Sequence, residues 1–151
     1  MGLLNFFKRE SNSAARLKKP ATPFDAIGGE PAVRQLANRF YDIMSSDPMV
    51  ADLYAIHPLP LERIRHVFYL YLMMWLGGPN HYEKERGHPR LRARHLPFTV
   101  TPTLKAQWMY CMRKAMYETV TDVQLAEKLL NALDALADHM VNAADKNGPQ
   151  S

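Results

Sequence analysis

The chain has 151 residues, 47% of them hydrophobic and 23% charged, which suits one compact domain with a sizeable core. Its formal net charge of +4 sits wholly at the N-terminus, where Lys8, Arg9, Arg16, Lys18 and Lys19 face only Glu10, so the basic isoelectric point belongs to that tail and is no sign of a nucleic-acid-binding fold. The single cysteine, Cys111, excludes an internal disulfide framework and thiolate zinc sites, and it fits a reducing, cytoplasmic setting.

Residues 1–22 read as an extension. Met1–Phe7 is apolar, residues 8–19 are basic and polar, and Pro20 and Pro23 punctuate the end. The apolar start is compatible with a short amphipathic helix that visits an anionic membrane surface, but a flexible arm fits the composition better. A signal peptide's long apolar stretch and cleavage site are missing, and the longest apolar run, residues 67–78, is too short to span a bilayer.

From Phe24 the pattern turns helical. Gly28-Gly29 breaks a short first segment, and Val33, Leu36, Ala37, Phe40, Ile43 and Met44 then predict a helix through Ser45. Asp47-Pro48 supplies a cap and a proline suited to a first helical turn, and His57-Pro58-Leu59-Pro60 interrupts again. Leu61, Ile64, Phe68, Tyr71 and Trp75 form the next apolar stripe, closed by Gly77-Gly78-Pro79. Residues 80–100 are rich in charge and lack a long period, which predicts loop with one short helix. Thr101-Pro102 caps a helix striped by Leu104, Trp108, Cys111, Met112 and Ala115. Thr121 and Gln124 have the spacing of a capping box that opens the last helix, striped by Leu129, Leu133, Leu136 and Met140. There is no strand-like alternation and no internal repeat, so the expected fold class is all-α.

Of the histidines 57, 66, 81, 88, 95 and 139, no pair has the helical spacing of a zinc-protease site. No nucleophile elbow and no glycine-rich phosphate loop is present. The informative stretch is Gly87-His88-Pro89-Arg90-Leu91-Arg92-Ala93-Arg94-His95-Leu96-Pro97-Phe98. Three arginines at alternating positions precede a histidine that apolar residues follow. Haem needs this combination: an imidazole for the iron, apolar cover for the porphyrin, and cations for its propionates. Taken alone, the same stretch reads better as a solvated basic loop with a surface histidine.

Five segments decide between these. Phe24-Asp25-Ala26-Ile27-Gly28-Gly29, Arg39-Phe40-Tyr41, Trp75-Leu76-Gly77-Gly78-Pro79, the Gly87–Phe98 stretch and the Trp108–Met112 segment occur in the order and spacing of truncated haemoglobins. Together they resemble the group II (HbO-type) subfamily over about residues 23–142. The resemblance implies a two-over-two helical sandwich around haem b, with domain bounds of 23–145, preceded by the 1–22 extension and followed by a short flexible tail, 146–151. No Cys-x-x-Cys-His occurs, so covalent haem attachment is not expected.

The family's proximal histidine falls on His95. Its ligand-facing tyrosine falls on Tyr41 and its tryptophan of the penultimate helix on Trp108, both able to donate a hydrogen bond to a polar ligand. Tyr54 is a third polar aromatic nearby. His57 stands where the family commonly has an aromatic on the haem, and it offers either a sixth ligand to the iron or a hydrogen bond to Tyr41 or the ligand. Ile64 occupies the place of a distal histidine in many globins, and Phe68 and Leu72 follow it along the same helix. Arg92 and Arg94 are the favoured propionate partners, with Tyr82, Arg65 and His88 behind them. Leu91, Leu96, Phe98 and Val100 complete the apolar cover. His66 reads as surface and Cys111 as core.

The resemblance implies binding, and in some members carriage, of dioxygen, with nitric oxide, carbon monoxide or peroxide as other small ligands. Its alternatives are a haem enzyme that oxidises nitric oxide to nitrate or reduces peroxide with the help of a reductase, and a six-coordinate redox sensor or electron carrier. A helical interaction module without haem is the remaining reading. No nucleic-acid partner is expected.

Overall fold

Thr22 opens the first helix, α1 (Pro23–Ile27): its side chain accepts the Asp25 N–H, and Pro23 fills a position whose N–H would have no helical partner. Gly28, at φ 117°, ends α1, and Gly29, at φ 74°, leads into α2 (Glu30–Ser46). Asp47 stops α2 and caps a 3-10 turn (Pro48–Val50) by accepting the Met49 N–H, and α3 (Ala51–Ala55) follows. The chain then runs through α4 (Glu62–Trp75), α5 (His81–Arg86), α6 (Leu91–His95), α7 (Pro102–Thr119) and α8 (Val123–Asp138). This computed structural model describes residues 22–146; the readings placed on residues 1–21 and on 147–151 lie outside them.

α2 packs on α4 on one side and on α7 on the other, and α7 packs on α8. Two helix pairs, α2 with α4 and α7 with α8, are thus joined through α2 and α7, which is the expected two-over-two sandwich. No strand occurs among the described residues. The α2 face expected from spacing is the observed one: Val33, Leu36, Ala37, Phe40, Ile43 and Met44 are all buried, and Tyr41 joins them. Cys111 is fully buried as expected, and burial pushes its thiol pKa up to about 12.

Three sequence expectations need correction. Residues 80–100 hold two short helices, α5 and α6, because Asn80 caps the first through the Glu83 N–H and Gly87, at φ 75°, ends it before a second turn of helix starts. The last helix is capped by Asp122, whose side chain accepts the Leu125 N–H, and not by Thr121. Most consequential is α4. Its core face is Tyr69, Leu70, Leu72 and Met73, whereas the expected stripe of Ile64, Phe68, Tyr71 and Trp75 is only half-buried. A helix apolar on two adjacent faces must cover both, and here protein covers the second only in part.

The two double glycines converge on one ring. A Cβ on Gly78 would lie 2.6 Å from Cδ2 of Phe24, and one on Gly29 would touch the tip of the same ring at 3.9 Å. The Phe24 N–H donates to the Leu76 carbonyl at 2.9 Å, so α1 is stitched to the end of α4.

Candidate functional site

His95 closes α6, a five-residue helix entered through Arg90, which is held at φ 42°. Its Nδ1 lies 2.6 Å from the Leu91 carbonyl. His57, just beyond α3, repeats this geometry with Nδ1 2.7 Å from the Leu53 carbonyl. A carbonyl can only accept, so in both rings Nδ1 carries the hydrogen and the Nε2 lone pair is left free. Burial is the main cause that lowers the His57 pKa, and a charge on nearby His95 lowers it further; the Leu53 hydrogen bond opposes both. Near pH 7 His57 is therefore a neutral imidazole. Two tautomer-locked rings, close enough for a charge on His95 to be felt at His57, each present a ligand nitrogen.

The aromatic groups gather on the distal side. Phe40 is the hub: its ring centroid lies 4.9 Å from Tyr41, 4.9 Å from Phe68 and 5.4 Å from Trp108. Tyr41 lies edge-on 5.7 Å from Phe68 and 6.2 Å from His57, which joins α2, α4 and the turn after α3 at one place. Tyr41 is 3% exposed, and burial raises its phenol pKa strongly, so it stays a neutral O–H donor. Ile64 and Trp108 are half-buried beside the core, as is Tyr54, whose carbonyl accepts the His57 N–H at 3.1 Å.

The basic residues separate. α6 is helical, so Arg92 and Arg94 do not point the same way: Arg92 is exposed, while Arg94 is half-buried, donates to the Arg86 carbonyl at 3.0 Å and lies 5.9 Å over the Tyr82 ring. Arg65 is committed elsewhere, donating to Asn38 O at 3.0 Å and to Asp42 Oδ1 at 2.7 Å. His88 is exposed, and its Nδ1 accepts the Arg90 N–H. Tyr82 and Leu72 are only 2% and 1% exposed, so both are already enclosed by protein. His66 is an exposed partner of Glu85, in keeping with its surface reading.

The residues present fit a haem group on three observations. The α4 stripe of Ile64, Phe68, Tyr71 and Trp75 lies at the edge of the core and is only half-buried. Large apolar side chains flank both histidines yet stand in water: Ile56 at 42% and Leu59 at 66% exposure beside His57, Leu96 at 59% and Phe98 at 49% beside His95. Arg86 Nε is buried without a hydrogen-bond partner. A flat apolar group with anionic arms, bound at Nε2 of an imidazole, would answer all three. Among the described residues no cluster of three or more His, Cys, Asp or Glu side chains could hold a metal ion by itself. No helix there is long and apolar enough to cross a membrane.

Residues 22–142 match the bacterial-like globin family. The chain belongs to that family. Within it, the chain is 37% identical over 123 residues to the Group 2 truncated hemoglobin of Bacillus subtilis (strain 168), covering 82% of this chain and 90% of that protein. Among solved structures it resembles the cold-adapted truncated hemoglobin of Pseudoalteromonas haloplanktis TAC125, with TM-score 0.80, 48% identity and coverage of 81% and 98% of the two chains. It also resembles the Group II 2-on-2 hemoglobin of Agrobacterium tumefaciens, with TM-score 0.81, 39% identity and coverage of 85% and 98%. The protein is thus a group II truncated haemoglobin, a globin with a haem cofactor and small gaseous ligands such as dioxygen.

Two residues of this globin escaped the sequence reading. Arg86, with its orphaned Nε, sits at the end of α5 among other charges and carries no motif. Asn142 lies beyond α8, and its side chain reaches back to the segment after His95. Neither has a local signal, because both act on residues far away along the chain or across a turn.

Proposed function

We propose that this truncated haemoglobin binds haem b through His95 Nε2 and holds dioxygen or another diatomic ligand, such as nitric oxide or carbon monoxide, against Tyr41 and Trp108. We propose further that His57 occupies the sixth position when no external ligand is present. The observation that carries this reading is the matched pair of imidazoles, each with Nδ1 donated to the carbonyl four residues before it and Nε2 free. Haem, when bound, supplies an iron centre that takes up diatomic gases and changes oxidation state. The chain's own residues do the rest. The Leu91 carbonyl orients His95 and raises its basicity as a ligand. Phe68, Ile64 and Phe98 offer apolar surface that excludes water. Arg94, anchored on Arg86 O, is the better placed of the two favoured propionate partners, with Arg86 itself beside it. The globin domain, residues 23–145 with the Thr22 cap before it, suffices for this chemistry. A reductase partner and a cytoplasmic setting go with it, and peroxide is a further candidate ligand.

Tyr41 and Trp108 are the available distal donors. The Tyr41 hydroxyl makes no hydrogen bond among the described residues, so its donor is uncommitted. Replacing either residue by phenylalanine is expected to speed dioxygen release about 5- to 10-fold, the effect of one lost hydrogen bond. The double variant should fall short of the product of the two, since both groups meet one ligand. Stopped-flow dissociation rates test this, and wild-type rates in both single variants would rule it out.

His57 governs access. Burial keeps it neutral, and Tyr41 lies 6.2 Å away, so the ring stands beside the tyrosine that would face the ligand. A protein closed nine-tenths of the time would bind an external ligand about 10-fold more slowly than an open one. His57→Ala is therefore expected to turn a low-spin ferric and ferrous spectrum into a high-spin one and to speed carbon monoxide association by that factor. A wild-type protein already high-spin in both states, or a low-spin spectrum unmoved by the substitution, would remove His57 from the iron.

A further inference from the structure

α6 is poorly anchored for a helix that carries an axial ligand. It makes no extensive packing with any other helix, and Arg94 Nη2 to Arg86 O ties only its middle. What holds its C-terminal end is Asn142, from the far side of α8. The Asn142 amide donates to the Phe98 carbonyl at 2.8 Å and reaches the carbonyl of His95 itself at 3.4 Å. Its Oδ1 accepts the Val100 N–H at 2.9 Å, and its backbone N–H donates to Val100 O at 2.9 Å. The two ends of the amide are not interchangeable here. Carbonyls require a donor and the Val100 N–H requires an acceptor, so the network fixes the orientation of the side chain.

We propose that Asn142 is a positioning residue for the proximal histidine. Two locks then act in series: the Leu91 carbonyl sets the rotation of the imidazole relative to α6, and Asn142 sets the end of α6 relative to α7 and α8. A short helix free at that end would swing the imidazole with it and weaken the axial bond. The inference rests on His95 being that ligand. Asp145 provides a built-in comparison. Its Oδ1 accepts the Thr103 N–H at 3.2 Å, which ties the same tail to the start of α7 without touching the segment from His95 to Val100.

The test uses the full-length haem-loaded protein in three variants: Asn142→Ala, Asn142→Asp and Asp145→Ala. Asn142→Asp keeps the acceptor for Val100 and loses the donors to Phe98 and His95, so it remains informative if the alanine variant folds poorly. Two readouts are taken. One is the fraction of nitric-oxide-bound ferrous protein whose proximal bond has broken, read from its absorption and paramagnetic resonance spectra. The other is the rate of haem transfer to excess apomyoglobin. Both Asn142 variants are expected to raise the broken fraction and to lose haem about 10-fold faster, while Asp145→Ala stays near wild type. Wild-type values for both readouts in the Asn142 variants would overturn the proposal. His95→Gly supplemented with free imidazole separates it from the reading it rests on. A wild-type spectrum in His95→Gly without imidazole removes His95 as ligand, and the proposal with it. If His95→Gly does need imidazole, Asn142→Ala should then leave haem loss unchanged in that background. An equal acceleration there would show that Asn142 supports the fold and not the ligand, and would overturn the proposal alone.

Discussion

Replacing His95 by alanine is expected to strip the protein of most of its haem, with a larger loss of affinity than the roughly 10- to 100-fold that removal of an outer partner of a metal ligand costs. The reason lies in how little else holds the group axially. The other imidazole of the site, His57, sits beside the distal aromatics with its own carbonyl lock, and it would have to serve alone. The apolar cover beside His95, Leu96 and Phe98, contributes burial but no bond to the iron. Any haem that remains should show a changed spectrum in both oxidation states, and added imidazole should partly restore the wild-type form. Haem content by pyridine haemochrome, together with ferric and ferrous absorption, measures this. Full haem content with wild-type spectra would disprove the assignment of His95.

The second large effect falls on a residue that touches neither histidine. Phe40→Ala is expected to destabilise the fold by about 3–5 kcal/mol, the usual cost of emptying a fully buried phenylalanine site. Phe40 has no exposed surface, and its ring meets Tyr41, Phe68 and Trp108, each from a different helix. Helix α2 meets both partners, α4 and α7, so the cavity would open where the two helix pairs join. A loss of that size is a large share of the about 5–15 kcal/mol by which native domains are stable. Urea unfolding of the haem-loaded protein gives the value. The same variant should release dioxygen faster, because Tyr41 and Trp108 lose the surface that sets their angles. A cost under about 1 kcal/mol would mean that the surrounding rings collapse into the space.

The fold was largely legible because its signals are local. Asp47 and Thr101 announce helix starts by their own side chains, and each makes the predicted capping bond. The α2 stripe shows because every residue on it is buried against protein. The α4 stripe misled for the opposite reason. Ile64, Phe68, Tyr71 and Trp75 have the periodicity of a core face, but sequence cannot say whether protein or a cofactor will cover it. The α5–α6 region was missed because turns of helix this short carry no period to detect. Within the site, His95, His57 and Tyr41 came from motif position, and the arrangement that unites them is a geometric fact. The alternating arginines suggested two equal propionate partners, but a helix at α6 sends Arg92 outward and leaves Arg94 inward. Asn142 gave no signal at all, since its partners lie more than forty residues upstream, with |i−j| of 42 to Val100 and 44 to Phe98.

The ring of Phe24, gripped by both double glycines, sets a minimum length for any shortened form of this globin. Gly77 stands at φ 91°, and a Cβ there would lie 2.9 Å from the Thr22 side chain. Thr22 therefore fills the groove over the second glycine pair while it caps α1, and Phe24 fills the space beside it. A chain trimmed to begin at Phe24 would keep the ring but forfeit the residue that orients it, leaving the groove over Gly77 open to solvent. Trimming is tolerable only upstream of Thr22, so a protease that nicks the basic arm spares the seal, whereas one that cuts two residues further on unpicks it.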